Sequence, residues 1–375
     1  MRLLYLVSHP IQYQAPLLRM IAADPDFKLS VIFESGLSCK NFYDEGFKKN
    51  IKWDVPLTKG FVHYTTTDIK VISALLLETD ILWCHGWNSF FKRRVLRLAQ
   101  KKGIPILMRG ENTQVAMPDG KGLRGFLKRQ YLKNIFNTCS GFLYIGEDNR
   151  RYYEEHGVDQ RILFPMPYSV DNKFFQIKAN SASGNQKNFR DEIGLYNDNP
   201  VILYAGKFLR RKNPHLLLEV FLELDFQKLG NPYLLFVGDG EMRGELQKKI
   251  NYNSERVKFL GFQNQSQLPS YYELADVFVL PAEREPWGLA VNEAMNCGTA
   301  VLVSDQCGCA RDLINESCGI VVEAGNKEEL LLALTKCLQD REQLGKMGKE
   351  ARKRISYWGL SESVFGLKRA CQHLM

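Results

Sequence analysis

The feature that most limits what this chain can become is an alternation, run through twice, of short apolar β-branched stretches with segments long enough for a helix. In the first half these stretches are 3–7, 29–33, 81–84, 104–108, 142–145 and 162–164. Runs of this length, separated by helix-sized spacers, read as β-α-β units that build a parallel sheet. After the polar stretch KANSASGNQKN (178–188) the pattern restarts at 201–205, 234–237, 257–260, 277–280, 300–303 and 320–322. Two doubly wound α/β domains follow, which also suits a chain of 375 residues at a prior of roughly 150 residues per domain. The expected division is 1–170, 171–350, and a helical segment 351–375 that can cross back to the first domain.

Open parallel sheets bind ligands beyond the carboxyl ends of their strands, where helix N-termini point. Site residues are therefore sought in the loops that follow strands. Composition narrows the setting: 45% hydrophobic and 25% charged residues describe a soluble globular chain. No apolar run approaches the roughly 18 residues of a membrane span, and the opening run is too short for a signal-peptide core. A cytoplasmic protein is expected. Nine cysteines at irregular spacing suit reduced thiols. The pair Cys307 and Cys309 lacks a second Cys or His pair at zinc spacing, so no metal site is expected. The spacing of Asp24-Pro25-Asp26 is that of a metal-binding carboxylate pair, but its place before the second strand reads as a surface turn.

The formal charge of +8 is concentrated in the first half. Around 121–135, Lys121, Arg124, Lys128, Arg129 and Lys133 interleave with Leu123, Phe126, Leu127, Tyr131, Leu132 and Ile135 at helical spacing. Such a helix either packs on its own domain with a solvated basic face or lies on an anionic membrane surface. No nucleic-acid-binding motif accompanies the bases, so nucleic acid is not an expected partner.

Three turns in the second half carry the candidate chemistry. LYAGKFLRRKNP gives Gly206 and Lys207 at a strand end and Lys212 before a helix, a combination suited to phosphate. LLFVGDGEM places a second tight turn at the same edge. DVFVLPAEREPWGLAVNEA delivers Glu283 and Glu285 into a loop, then starts a helix near Gly288 and Leu289, with Glu293 more than a turn inside it. Eight positions span about 12 Å along a helix, so Glu285 and Glu293 suit two grips on one long ligand better than an acid/base couple.

In this order GKF and RRKN (206–213), VGDGE (237–241), LGF (260–262), ADVFVLPAEREPWGLAVNEAMNCGTAVLVSD (275–305) and GCARDLI (308–314) resemble the retaining glycosyltransferases of family 4. The resemblance covers most of the second domain and, more loosely, the first. It implies a GT-B fold: two facing Rossmann-like doubly wound domains with a nucleotide-sugar cleft between them. It also implies that Lys207 and Lys212 hold the donor diphosphate together with amides near Gly206, Gly288 and Leu289. Glu285 would bind donor sugar hydroxyls, Glu293 the ribose, and the loops around Gly261 and Glu283 the base and sugar. No metal and no cofactor beyond a UDP- or GDP-linked sugar is implied.

The first domain departs from the family pattern. Its first loop, SHPIQYQAPLL (8–18), has no glycine and offers His9, Gln12, Tyr13 and Gln14 for acceptor or sugar contact. The histidine that relatives carry after the fourth strand is replaced by Arg109, Gly110 and Glu111. His85 stands at the preceding strand end as an alternative, flanked by Trp83 and Trp87, two aromatics suited to sugar stacking. The resulting expectation is a metal-independent transferase moving a sugar to a saccharide or lipid-linked saccharide, at the inner face of the cell membrane. The alternatives are a nucleotide-sugar epimerase of related fold and an inactive nucleotide-sugar-binding subunit.

Overall fold

The computed structural model describes residues 1–36, 41–250 and 255–375. In chain order the first part runs β1 (Arg2–Val7), α1 (Gln14–Ala23), β2 (Lys28–Phe33), β3 (Phe42–Asp44), β4 (Lys49–Ile51), β5 (Val62–Thr65), α2 (Ile69–Leu77), β6 (Ile81–His85), α3 (Phe90–Lys101), β7 (Ile106–Arg109), α4 (Gly122–Phe136), β8 (Gly141–Tyr144), α5 (Glu147–Glu155) and β9 (Leu163–Pro165). The second continues α6 (Asn172–Ser183), α7 (Gln186–Glu192), β10 (Val201–Ala205), α8 (Pro214–Leu222), β11 (Tyr233–Val237), α9 (Arg243–Lys249), β12 (Val257–Gly261), α10 (Leu268–Leu274), β13 (Val277–Leu280), α11 (Leu289–Asn296), β14 (Ala300–Ser304), α12 (Ala310–Leu313) and β15 (Gly319–Val322). Three helices close the chain: α13 (Lys327–Gln339), α14 (Arg341–Ile355) and α15 (Leu360–Leu374).

The chain divides into two compact units. Unit 1 holds a seven-stranded sheet in the order β5-β2-β1-β6-β7-β8-β9, and unit 2 a six-stranded sheet in the order β12-β11-β10-β13-β14-β15. Neighbouring strands pair parallel in both. Unit 2 is thus a Rossmann sheet, and unit 1 the same order with one strand added. In each, strand order reverses beside the first strand, at β1/β6 and at β10/β13. The central strands are buried on both faces, which is why they read as continuous apolar runs.

Each of the twelve apolar stretches named above falls on a strand, with 104–105, 145 and 162 just outside β7, β8 and β9. β5 was not legible, because its four residues, Val-His-Tyr-Thr, are all exposed at the sheet edge. The polar stretch 178–188 is mostly helical, spanning the end of α6, a short turn and the start of α7.

The expected division needs correcting in two places. Tyr43–Asp54 clusters with unit 2 although it is threaded between β2 and β5 of unit 1, and unit 2 runs on to Tyr357. Trp358–Met375 clusters with unit 1. There α15 buries Leu360, Val364 and Leu367 in the core shared with Tyr5, Leu17, Ile21 and Phe164. Each such side chain contributes about 1.5–3 kcal/mol. That outweighs the solvent-screened surface pairs of Lys368 with Asp24 and Asp26 in holding the helix down. The approach is close: a Cβ on Gly366 would lie 1.7 Å from the Pro165 carbonyl oxygen. Asp24 and Asp26 flank the turn between α1 and β2, as the sequence suggested for a surface turn.

No helix among the described residues is long and apolar enough to cross a membrane. α4 buries only Gly125, Leu132 and Phe136, leaving Leu123, Phe126, Leu127 and Tyr131 exposed among its lysines and arginines. The eight described cysteines are free thiols; Cys39 lies outside the described residues.

Candidate functional site

In unit 2 the site is built at the β10/β13 reversal. β10 ends at Gly206, whose φ of +151° no side chain adopts comfortably. The adjoining turn is packed backbone on backbone: a Cβ on Gly238 would lie 1.9 Å from the Gly206 oxygen. Arg210–Lys212 then form a single 3-10 turn, and Asn213, left-handed at φ +57°, starts α8 with Pro214 in its first turn.

That short turn aims two cations at one carboxylate. Lys212 Nζ lies 3.1 Å from Glu285 Oε2, and Arg211 Nη1 donates to the same oxygen at 3.1 Å. Lys212 Nζ is also 3.6 Å from where a Cβ on Gly206 would stand, so the ammonium sits over the glycine turn. Arg211 further donates to the Arg284 carbonyl at 2.8 Å, while its own carbonyl accepts from the amides of Glu283 and Arg284. Both ends of the contact are therefore tied by backbone as well as side chain. Glu285 is 9% exposed, so both cations meet it in a largely buried setting.

A second loop braces the first from behind. The Glu285 amide donates to the Gln306 carbonyl, and the Gly308 and Cys309 amides donate to the carbonyls of Glu285 and Trp287. Gly308 leaves no room for a side chain, since a Cβ there would lie 2.0 Å from the Pro286 oxygen. Trp287 is buried and donates to Asn292 Oδ1 at 2.9 Å. Gly288, at φ +98°, turns the chain into α11, whose N-terminus follows β13 at the sheet edge where the β10 turn carrying Lys212 lies. Cys307 and Cys309 serve this brace. Burial pushes the Cys307 thiol up to about 12, and no group of three or more metal-binding side chains gathers among the described residues.

Glu293 and Lys207 are partnered differently. Tyr272, reaching from α10, donates to Glu293 Oε2 at 2.7 Å. Burial drives Glu293 up to about 7, against the opposing pull of the Tyr272 hydrogen bond and the Lys212 charge. Lys207 Nζ is bound by Asp44, at 2.8 and 3.0 Å from its two oxygens. Gly261, at φ +70°, ends β12 and accepts from the Gly238 amide at 2.8 Å. The Glu283 side chain is exposed.

Unit 1 gathers a second polar cluster at its β1/β6 reversal. His85 ends β6, with Nδ1 3.0 Å from the Tyr5 hydroxyl and 3.3 Å from Gln14 Nε2, and Nε2 3.5 Å from Glu111 Oε1. Glu111 accepts a short hydrogen bond from Tyr168. Burial lowers the His85 pKa, which favours neutral imidazole, although Glu111 opposes it. Burial would raise Glu111, but His85, Tyr168 and Arg109 together hold it below its usual value. Arg109 is 2% exposed, lies 5.6 Å from the Tyr168 ring centre, and leaves its Nε without a hydrogen-bond partner. Beneath them Lys92, almost fully buried, donates to the His85 carbonyl at 2.8 Å.

Thus His85, Arg109 and Glu111 come together, and Tyr13 meets the group edge-on through Tyr168. His9 is exposed beside Ser8, and Gln12 is partly buried in the same loop. Trp83 and Trp87 are not sugar platforms. Trp83 stacks on Tyr5 in the core at 3.9 Å, and Trp87 packs edge-on against Phe136. Sequence reasoning missed Arg211, Tyr272, Asp44, Tyr5, Tyr168 and Lys92. Only Arg211 carried a signal, as the neighbour of Lys212; the rest depend on pairings between distant segments.

Residues 185–354 match the family described as glycosyl transferases group 1. An uncharacterized glycosyltransferase of Methanocaldococcus jannaschii is 29% identical over 267 residues, 70% of this chain and 66% of that one. The alpha-monoglucosyldiacylglycerol synthase of Acholeplasma laidlawii is 27% identical over 316 residues, 80% of this chain and 77% of that one. Several other curated relatives are matched over about half their length. Among solved structures, Anabaena HepE in complex with UDP superposes with a TM-score of 0.76 at 16% identity, covering 99% of this chain and 100% of that one. Residues 185–354 are therefore a glycosyl transferases group 1 domain, and the chain as a whole has the GT-B fold.

Proposed function

We propose that this protein is a retaining, metal-independent glycosyltransferase that moves a sugar from a nucleoside diphosphate donor to a saccharide or lipid-linked saccharide. The observation that carries the reading is the convergence of Lys212 and Arg211 on Glu285 beside the α11 N-terminus. Two cations and a helix N-terminus supply the positive field that a departing diphosphate requires, without a metal ion. Glu285, held by both cations, would accept from a hydroxyl of the donor sugar. Glu293 would accept from the ribose.

In the transfer the acceptor oxygen bonds to the anomeric carbon as the bond from that carbon to the diphosphate oxygen breaks. The electron pair leaves on the phosphate, which takes the acceptor proton. The His85–Glu111–Tyr168 cluster of unit 1 offers acceptor or sugar contacts in this scheme. The relatives favour the lipid-linked kind: one is named for a glucosyldiacylglycerol product, and an Escherichia coli relative, 28% identical over 215 residues, for a diphosphoundecaprenol-linked acceptor. A lipid-linked acceptor also suits α4, whose exposed apolar and basic residues would rest on an anionic membrane at the cytoplasmic face.

The test is incubation with UDP-, GDP- and ADP-sugars, with and without lipid-linked and free saccharide acceptors, following nucleoside diphosphate release and product anomeric configuration. Acceptor-dependent release with retained configuration is expected. Conversion of a nucleotide sugar with no acceptor would instead mark an epimerase, and donor binding without turnover on any acceptor a binding subunit.

A further inference from the structure

The segment Tyr43–Asp54 is a strap laid on unit 2 and fixed at several points. Phe47 and Trp53 both pack edge-on against Phe262, with ring centres 5.0 and 5.8 Å away. Asn264 donates to the Lys52 carbonyl at 3.0 Å, and Ser266 bonds Asp54. At the other end Gly46 is pressed onto the Lys207 side chain, where a Cβ would lie 2.5 Å from Lys207 Cδ, and its carbonyl meets Gly240. The strap thus touches the loops after β10, β11 and β12, all at the carboxyl edge of one sheet.

At that end lies Asp44. Its Oδ1 accepts from the Gly46 and Phe47 amides at 2.8 and 3.0 Å, which fixes the carboxylate, and both oxygens then grip Lys207 Nζ. The ammonium also lies 4.9 Å from the Phe47 ring centre. Lys207 is therefore already neutralised by a carboxylate of its own chain, whereas Lys212 shares its carboxylate with Arg211. A diphosphate offers the same chemistry to an ammonium as Asp44 does, with more charge and more oxygens. We infer that Asp44 is an internal stand-in for the donor phosphate, occupying Lys207 until a nucleoside diphosphate takes the ammonium from it.

This rests on the donor-site reading above, and the experiment separates the two. UDP and GDP binding is measured by calorimetry on the full chain, for wild type, Asp44→Asn, Lys207→Ala, the double variant and Lys212→Ala. The asparagine keeps the oxygen that receives the two amides, so the strap stays folded; a matching thermal melt checks this. Asp44→Asn is expected to tighten nucleotide binding at least about threefold, the scale of one partly exposed ion pair. The gain should vanish when Lys207 is alanine, because the competition runs through that ammonium. Unchanged or weaker binding in Asp44→Asn, or an equal gain in the Lys207→Ala background, overturns the inference while Lys212→Ala still reports on the donor site. Full nucleotide affinity in Lys212→Ala overturns the donor-site reading itself.

Discussion

Tyr272 and Glu293, on adjacent helices of unit 2, share a 2.7 Å hydrogen bond in which the phenol donates to a carboxyl driven up to about 7 by burial. A ribose hydroxyl donates best to the ionised carboxylate, so nucleotide affinity should fall as pH drops below about 7, by up to about tenfold per unit. Tyr272→Phe removes a group that pulls Glu293 down and should move that midpoint to higher pH. Glu293→Gln should flatten the profile. Binding titrations of UDP between pH 5.5 and about 8.5 check both, and a midpoint unmoved by Tyr272→Phe would count against the assignment.

Lys212→Ala should lower turnover by about 10²–10³-fold, the usual effect of losing one group that stabilises developing charge. The fold should survive, because the side chain packs over a glycine turn and Arg211 still balances Glu285. Steady-state kinetics with a matched melting curve decides it. Turnover near wild type would mean the diphosphate lies elsewhere.

Gly308→Ala tests the brace rather than the chemistry. A methyl group 2.0 Å from the Pro286 oxygen forces the two loops apart, at a cost of about 1–3 kcal/mol. Melting temperature and turnover should fall together. An alanine tolerated in both respects would show that the loop carrying Glu285 needs no support from 306–309.

Leu123→Asp and Phe126→Asp place carboxylates on an exposed face, so folding should be unaffected. Cosedimentation with vesicles rich in phosphatidylglycerol should drop severalfold, while UDP affinity stays constant. Equal binding by the wild type to neutral phosphatidylcholine vesicles would rule out the electrostatic part of the contact.

How far the sequence could be read follows from what each signal depends on. The strands of both sheets were legible because parallel strands buried on two faces must be apolar throughout, as Leu203 and Leu235 show. β5, whose Val62 and Tyr64 are exposed, left no such trace. Lys212 and Glu285 were each legible as motifs at strand ends, which topology brings to one edge; their direct 3.1 Å contact was not. Asp44 was not: nothing local marks 43–54 as belonging with 206–208, and only the docking of Phe47 and Trp53 on Phe262 reveals it. Trp83 misled because it lies mid-strand in β6, where its ring turns into the core and stacks on Tyr5.

The threading of Tyr43–Asp54 into unit 2 limits how this protein can be cut or exchanged. A clone of the contiguous stretch 171–357 would retain nearly all of unit 2, yet strip the covering from Phe262 and leave Lys207 without its carboxylate. Chimeras that swap halves between relatives at residue 170 would carry one parent's strap onto the other parent's unit 2. The inherited unit is therefore discontinuous in the gene, and recombination or truncation that respects it must move residues 43–54 together with the domain they cover.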